Sequence, residues 1–389
     1  MEDLKLKLLD NILNYQVPTI SKDVHFWMIR AQQGFFYNEF ITNGYVALAW
    51  NAITCSSSFS SENKETLTQL IKESYPSIKN TGAVINKCEK FIFQMKVGDI
   101  VIIPGTHGNS FTLAYAGEYF EEPTFTIEDE NRTILTLDDS KTSVKCPYKK
   151  RRYIEIIKTV PRSYLTPALQ RAVSSYHGIS NLDDYAIDIL SVLYNCFIYN
   201  DTFALVFFVK KQNPIKPKEL INLMYSCTNV LSTFINEDGL STKLNLNSPG
   251  PISFLTNTFN FFKDNWYHML AILILLTGGQ LGSIKFNGII PALKSLFVSK
   301  QDKELKRLEI EERKININLK EFELAEKKKK AFQDEIASLN ISPDAFFSNL
   351  ETFYNSINSM EIETIANCAV PDSYTIPQNN ESPDTNEVQ

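Results

Sequence analysis

The sequence lacks closely spaced cysteines. Cys55, Cys88, Cys146, Cys196, Cys227 and Cys368 stand far apart and none forms a CxxC pair, which argues against a zinc ribbon. Histidine is equally thin: His25, His107, His177 and His268 are scattered and suggest no metal cluster. A basic surplus is missing too. With a net charge of -6, the chain is not built to coat long duplexes through phosphate contacts, so a nucleic-acid partner must meet a local site. There is no P-loop, no GxSxG and no HExxH. No complete catalytic constellation, metal site or cofactor is therefore expected. A secretory leader is not seen either. Met1–Tyr15 alternates Leu and Ile with Lys, Asp and Asn, which suits a short amphipathic helix. The expected setting is a reducing, bacterial-type cytoplasm with free thiols.

What is present is apolar surface in quantity. Hydrophobic residues make up 43% of the chain, enough for packed cores over most of its length. Strand-like runs come early: His25–Ile29, Tyr45–Trp50 after the Asn43-Gly44 turn signal, Asp99–Ile103, Phe111–Tyr119, Thr133–Leu137 and Tyr153–Ile157. Lys64–Ser74 and Asn86–Met95 have helical spacing. Many short strands with few helices predict a curled sheet or barrel. From Pro161 the pattern changes. Thr166–Val173 and Leu182–Tyr194 read as helices, Thr202–Lys210 as a strand, Pro217–Phe234 as a helix, and Ser241–Leu246 and Ile252–Leu255 as strands. That is a small β-α-β-β domain, and the fold class expected for the whole chain is α+β.

One stretch carries functional information. Phe26-Trp27-Met28-Ile29-Arg30 is an apolar strand ending in arginine. Gly34-Phe35-Phe36 is a glycine-aromatic turn, and Asn43-Gly44-Tyr45-Val46-Ala47-Leu48-Ala49-Trp50-Asn51 is a strand ending in Trp-Asn. Arg30 and Trp50 both fall at strand ends, where side chains can line one pocket. An indole and a planar guanidinium suit a planar base, with stacking contributing roughly 1–3 kcal/mol per base. The bland readings stand beside this one. Trp27 and Phe26 alternate, so one of them faces a core. Arg30 could serve a structural salt bridge, and Lys149-Lys150-Arg151-Arg152 could be a solvated turn rather than a phosphate-contacting rim.

The pattern resembles the EVE-like module of the PUA superfamily found at the N-terminus of Mrr-type restriction proteins. The resemblance covers about residues 23 to 190. It continues through Lys96-Val97-Gly98-Asp99-Ile100-Val101, Gly117-Glu118-Tyr119, Tyr153–Ile157, Pro161-Arg162-Ser163-Tyr164-Leu165 and Leu182. It implies an N-terminal PUA-like β-barrel that takes up a flipped, often modified base, in an antiviral or restriction setting. Trp27, Arg30, Phe36, Trp50 and Asn51 match the family's strand-helix-strand pattern. Pro104–Asn109, with Thr106 and His107, stands where a pocket-lining loop would follow. Gln32-Gln33 replaces the glycine pair that many relatives carry before the aromatic turn, a departure that bears on the pocket mouth.

Mrr-type relatives carry a nuclease after this module, with an acid-x-Lys pair on a strand to hold a divalent metal. Here Phe208-Val209-Lys210 has Phe in the acidic place and Asp188 lies in a helical run, so a divergent nuclease with a degenerate metal site is the alternative reading. A structural adaptor or membrane-associated effector is another. Asn265–Ile284 has no Asp, Glu, Lys or Arg and reaches the length of a span, but Thr277–Gly282 interrupts it and Ser283–Phe286 reads as a strand. Burial in protein and membrane contact both stay open. Lys300–Glu335 is a charged helix with part of an apolar stripe, a candidate surface for homo-oligomers. The expected layout is an N-terminal helix (1–22), the base-binding module (23–190), an α/β domain with the apolar segment (191–298), a charged helical region (299–368) and a disordered tail (369–389). The expected function is a sensor of nucleic acid or nucleotide that relays binding through the C-terminal region.

Overall fold

The computed structural model describes residues 18–57, 59–60, 63–136, 145–174, 177–209, 213, 215–231, 240–244, 250–256, 279–281, 284–286 and parts of 352–363. The expected N-terminal helix at Met1–Tyr15, the apolar run 269–276, the expected charged helix at 300–335 and the expected tail at 369–389 lie outside them. Among the described residues the chain is mixed α+β, with seven α-helices and two large mixed sheets. It divides into two compact units. One holds Asp23–Arg162 and Ala168–Ala186, and the other holds described residues of Met1–Lys22, Ser163–Pro167 and Ile187–Cys368.

In chain order the elements begin with β1 (Thr19–Ile20), β2 (Phe26–Ile29), α1 (Tyr37–Asn43), β3 (Tyr45–Leu48), α2 (Lys64–Ser74) and α3 (Thr81–Glu89). They continue with β4 (Ile100–Pro104), β5 (Ser110–Glu121), α4 (Ile127–Thr136), β6 (Lys150–Pro161), α5 (Pro167–Val173) and β7 (Ile179–Asn181). The first unit is a curled half-barrel with strand order β3-β6-β5-β4-β2-β7. Neighbours are antiparallel except β2 and β4, which run parallel. β2 and β4 are buried along their whole length, which is why they read as unbroken apolar runs rather than alternating ones. β5 and β6 slip register at Leu113/Ala114 and Ala116/Tyr119, and such bulges bend a strand and raise its twist. The core of this unit includes Phe36, Phe40, Ile71, Cys88, Phe91 and Val101.

Local chemistry sets the boundaries. α1 stops at Gly44, whose left-handed backbone (φ 66°) lets its N–H close on Phe40. The expected Thr133–Leu137 strand is instead, over its described residues Thr133–Thr136, the end of α4. Thr126 and Asp129 form a reciprocal cap, with the Thr126 hydroxyl accepting from Asp129 N–H and the Asp129 carboxylate accepting from Thr126, and this starts a helix seven residues upstream of the β-branched pair. The expected Asn86–Met95 helix is split: α3 ends at Glu89 and the chain continues in a wider π-type turn over Lys90–Gln94, closed by Met95 N–H on the Lys90 carbonyl.

The second unit continues with α6 (Ala186–Leu193), β8 (Cys196–Tyr199), β9 (Thr202–Val209), α7 (Pro217–Leu231), β10 (Leu240–Leu244) and β11 (Gly250–Thr256). A hairpin of β12 (Gly279–Leu281) and β13 (Ile284–Phe286) and a short β14 (Ile362–Glu363) follow. Its sheet has the order β1-β8-β9-β11-β10, with β14 also on β9. β9 is central and apolar on both faces; Phe207 packs edge-on against Phe254 and Phe353. β8 and β9 are joined through Asn200 and Asp201, both left-handed, as a tight hairpin requires. Among the described residues no helix is long and apolar enough to cross a membrane.

Candidate functional site

Three chain segments of the first unit meet where β2, β3 and β4 end. β2 delivers Arg30 and then a tight turn over Gln32–Gly34; β3 delivers Ala49 and Trp50; β4 delivers the Gly105–Gly108 turn. Six non-glycine residues among those described have a left-handed backbone. Gln32 (φ 45°), Gln33 (φ 57°), Trp50 (φ 69°) and His107 (φ 59°) are four of them, and all are here. Such backbones cost roughly 1–3 kcal/mol each and persist only where their surroundings over-determine them. The Gln32–Gly34 turn is pinned because Gly34 lies against the next loop: a Cβ there would fall 2.7 Å from Thr106 Cα. The Trp50 backbone is held from both sides. Glu130, fully buried, accepts from Trp50 N–H at 2.6 Å and from Asn51 N–H at 2.9 Å. Lys150 donates to the Trp50 carbonyl at 2.6 Å and to Ile53 at 2.9 Å.

Two clefts open on either side of this junction. One, about 210 Å³, is lined by Arg30, Gln32, Gln33, Trp50, Lys87 and Tyr148, with the Ala47–Ala49 stretch and Gly178 completing it. The Lys87 ammonium stands 5.4 Å from the centre of the Trp50 ring, and its partial burial lowers its pKa. The Tyr148 hydroxyl donates to Gln32 Oε1 at 3.2 Å, and burial pushes the phenol well above its ordinary value. The other cleft, about 310 Å³, is lined by Arg30, Gln33, His107, Arg162 and Ser174 with Gly34, Gly105 and Gly108. Arg30 and Gln33 belong to both.

The residues singled out in the sequence divide accordingly. Arg30, Trp50 and His107 line the clefts; Thr106 is exposed on the adjoining turn. Trp27 and Phe36 do not. Trp27 is 2% exposed and its indole N–H donates to Asp99 at 2.8 Å. The same Asp99 accepts from His25 N–H and Lys96 N–H, so the Gly98-Asp99 pair is a bracket that fixes β2 beside β4. Phe36 is core, packed against Phe40 and Tyr148. Asn51 is buried and holds the loop behind Trp50: its amide donates to Thr126 and Pro147 carbonyls and its oxygen accepts Lys149 N–H.

The expected basic rim is corrected. Lys149 is half-buried, and the three residues after it are buried. Lys150 is spent on the Trp50 turn. Arg151 donates to the Cys146 and Tyr148 carbonyls and lies 4.4 Å from the Tyr45 ring centre. Arg152 donates to the carbonyls of Phe91, Ile92 and Met95 at the π-type turn, where a helix end leaves carbonyls open, and to that of Gly117 at the β5 register shift. These cations are structural because the start of β6 is covered on both faces, so that successive side chains are buried whichever way they point.

No family model, no curated protein and no solved structure matches this chain.

The site thus rests on its own geometry. It contains Gln33, Lys87, Tyr148 and Arg162, none of which was singled out as a ligand contact from the sequence. Gln33 and Arg162 lie in segments already noted, the glutamine pair before the aromatic turn and the Pro161-Arg162 step. For Lys87 and Tyr148 no sequence signal exists beyond helical and loop context. Asp188 is buried on α6, and Lys210 lies outside the described residues.

Proposed function

We propose that the unit of Asp23–Arg162 and Ala168–Ala186 is a PUA-like module that receives a nucleobase against Trp50. The chain then acts as a sensor of nucleic acid or nucleotide, of the antiviral or restriction type, and its C-terminal region relays binding. The observation that carries the reading is the pair of clefts joined at Arg30 and Gln33, with four strained non-glycine backbones gathered around them. Stored backbone strain concentrates at ligand sites. The half-buried Trp50 offers its ring to one cleft beside a lysine, and an aromatic face with a flanking cation accepts any base. Glutamine side chains at positions 32 and 33 add donors and acceptors that can read a base edge. Taken together the clefts, about 210 and 310 Å³, fall within the range of about 300–1,000 Å³ usual for small-ligand pockets. A flipped base fits this enclosure better than a duplex does, and flipping costs least for an unpaired or weakened base.

The test is fluorescence anisotropy with labelled oligonucleotides and the full chain. Single-stranded or base-modified probes are expected to bind more tightly than unmodified duplex. Trp50→Ala should weaken binding by roughly 1–3 kcal/mol with an unchanged circular-dichroism spectrum. Equal binding by wild type and variant would remove the base from this cleft.

A further inference from the structure

The larger cleft has a composition of its own. Arg30, Arg162 and His107 line it together with Gln33 and Ser174, and among the described residues no carboxylate does. The two guanidiniums are tied to the same place: Arg30 donates to the Ser174 carbonyl at 3.1 Å, and Arg162 to the Ser174 hydroxyl at 3.1 Å. Two cations fixed to one residue repel each other, and an anion between them removes that penalty. The rest of the wall is backbone. Gly34, Gly105 and Gly108 leave it bare, and Gln33-Gly34 and His107-Gly108 each place two consecutive residues in the left-handed region. The glycine N–H groups are already given to the carbonyls of Ala31, Ser110 and Gly105, so this wall supplies close approach and the side chains supply the donors. Guanidinium forks match phosphate oxygens two at a time.

We infer that this cleft is a phosphate subsite, so that the site takes a nucleotide unit with its base on the Trp50 side of Arg30 and its phosphate on the Arg162 side. The assignment rests on the base reading above for the first half and on the cationic cleft alone for the second. Arg30 and Gln33, which line both clefts, stand between base and phosphate. Specificity for a phosphorylated unit over a free base then comes from Arg162 and His107, with the glycines leaving room for the phosphate.

The experiment is calorimetric titration of the full chain with the four deoxynucleosides, their 5′-monophosphates and inorganic phosphate. Wild type, Arg162→Gln, Arg162→Lys and Trp50→Ala are compared, with thermal unfolding run on each. A monophosphate should bind about tenfold more tightly than its nucleoside, as a charge-assisted pair implies. That gap should close to within about twofold in Arg162→Gln and only partly in Arg162→Lys, which keeps the charge but not the fork. Trp50→Ala should weaken nucleoside and nucleotide alike while leaving inorganic phosphate binding as it was. If phosphorylation changes affinity by less than about twofold in wild type, or if the gap persists in Arg162→Gln, the subsite is overturned and the base reading stands. If nucleosides fail to bind while inorganic phosphate is held and is lost in Arg162→Gln, the base reading is overturned and the phosphate cleft stands. Failure of nucleosides, nucleotides and phosphate overturns both.

Discussion

Glu130→Gln isolates the support of Trp50. In the native site one carboxylate serves three donors: Trp50 N–H on Oε1, and Asn51 N–H and the Tyr75 hydroxyl, at 2.7 Å, on Oε2. Glutamine keeps the shape and supplies a single acceptor oxygen. Whichever way the amide turns, its NH₂ faces a backbone N–H. The Tyr75 hydroxyl can turn to accept from that amide, although it already accepts Ala52 N–H at 3.2 Å; the backbone N–H cannot adapt. Hydrogen bonds to a charged group contribute about 1.5–3 kcal/mol against about 0.5–1.5 for neutral ones. Losing one and weakening the other two gives a loss of about 3 kcal/mol, a large share of the ~5–15 kcal/mol that holds a domain together. Urea unfolding measures the total. Hydrogen exchange read by mass spectrometry on peptides covering Ala49–Ile53 measures the locality, and the Trp50 and Asn51 amides should lose protection ahead of the sheet. A destabilisation below about 1 kcal/mol, less than one charged hydrogen bond, or unchanged protection at Trp50 would refute the view that Glu130 holds this left-handed turn.

Two further outcomes concern stability. Arg152→Lys should cost about 3 kcal/mol or more, because a single ammonium cannot reach all four carbonyls that the guanidinium serves; urea unfolding within about 0.5 kcal/mol of wild type would count against the staple. Burial pushes the Cys88 thiol up to about 11 from its ordinary 9.0, with Lys150 pulling it back and Glu130 adding to the rise. The unfolded chain therefore loses this proton first. The stability from Cys88 is whole below pH 9.0 and is lost as pH rises to about 11. The stability gap between wild type and Cys88→Ala should narrow across that window, and a gap that stays constant would show that the thiol does not titrate so.

Sequence pattern located β2 and β4 of the first unit and β9 of the second because they are bounded by clear turn signals and are apolar nearly throughout. The same feature hid the role of Trp27. A strand buried on both faces has no period to separate pocket from core, and the partner that decides the matter, Asp99, comes from another strand. Trp50 was legible because it stands past the end of its strand, where side chains are no longer committed to the sheet. The Lys150-Arg151-Arg152 run misled for a physical reason. Basic residues are rarely buried unless paired, and here the partners are backbone carbonyls, which no sequence pattern displays. α4 carries its own start signal, Thr126-x-x-Asp129, which the expected strand at Thr133–Leu137 left out of account. Arg162 reaches the site only because Gly108 and Ser174 meet beside it, which is tertiary information.

β2 is paired on one side with β4, through Trp27 and Val101, and on the other with β7, through Trp27 and Asn181. Long-range pairing of this kind is slow, since the loops must close before the contacts reward closure. During synthesis the outer edge of β2 stays open until Ile179–Asn181 has left the ribosome, and an open apolar edge is a template for mispairing with other chains. Gly178 and Ser174, which line the two clefts, arrive with that same late segment. The clefts are thus the last part of the unit to come into being, and a ligand seated in them would act as a latch on the closing strand, slowing the first step of unfolding more than it speeds any step of folding.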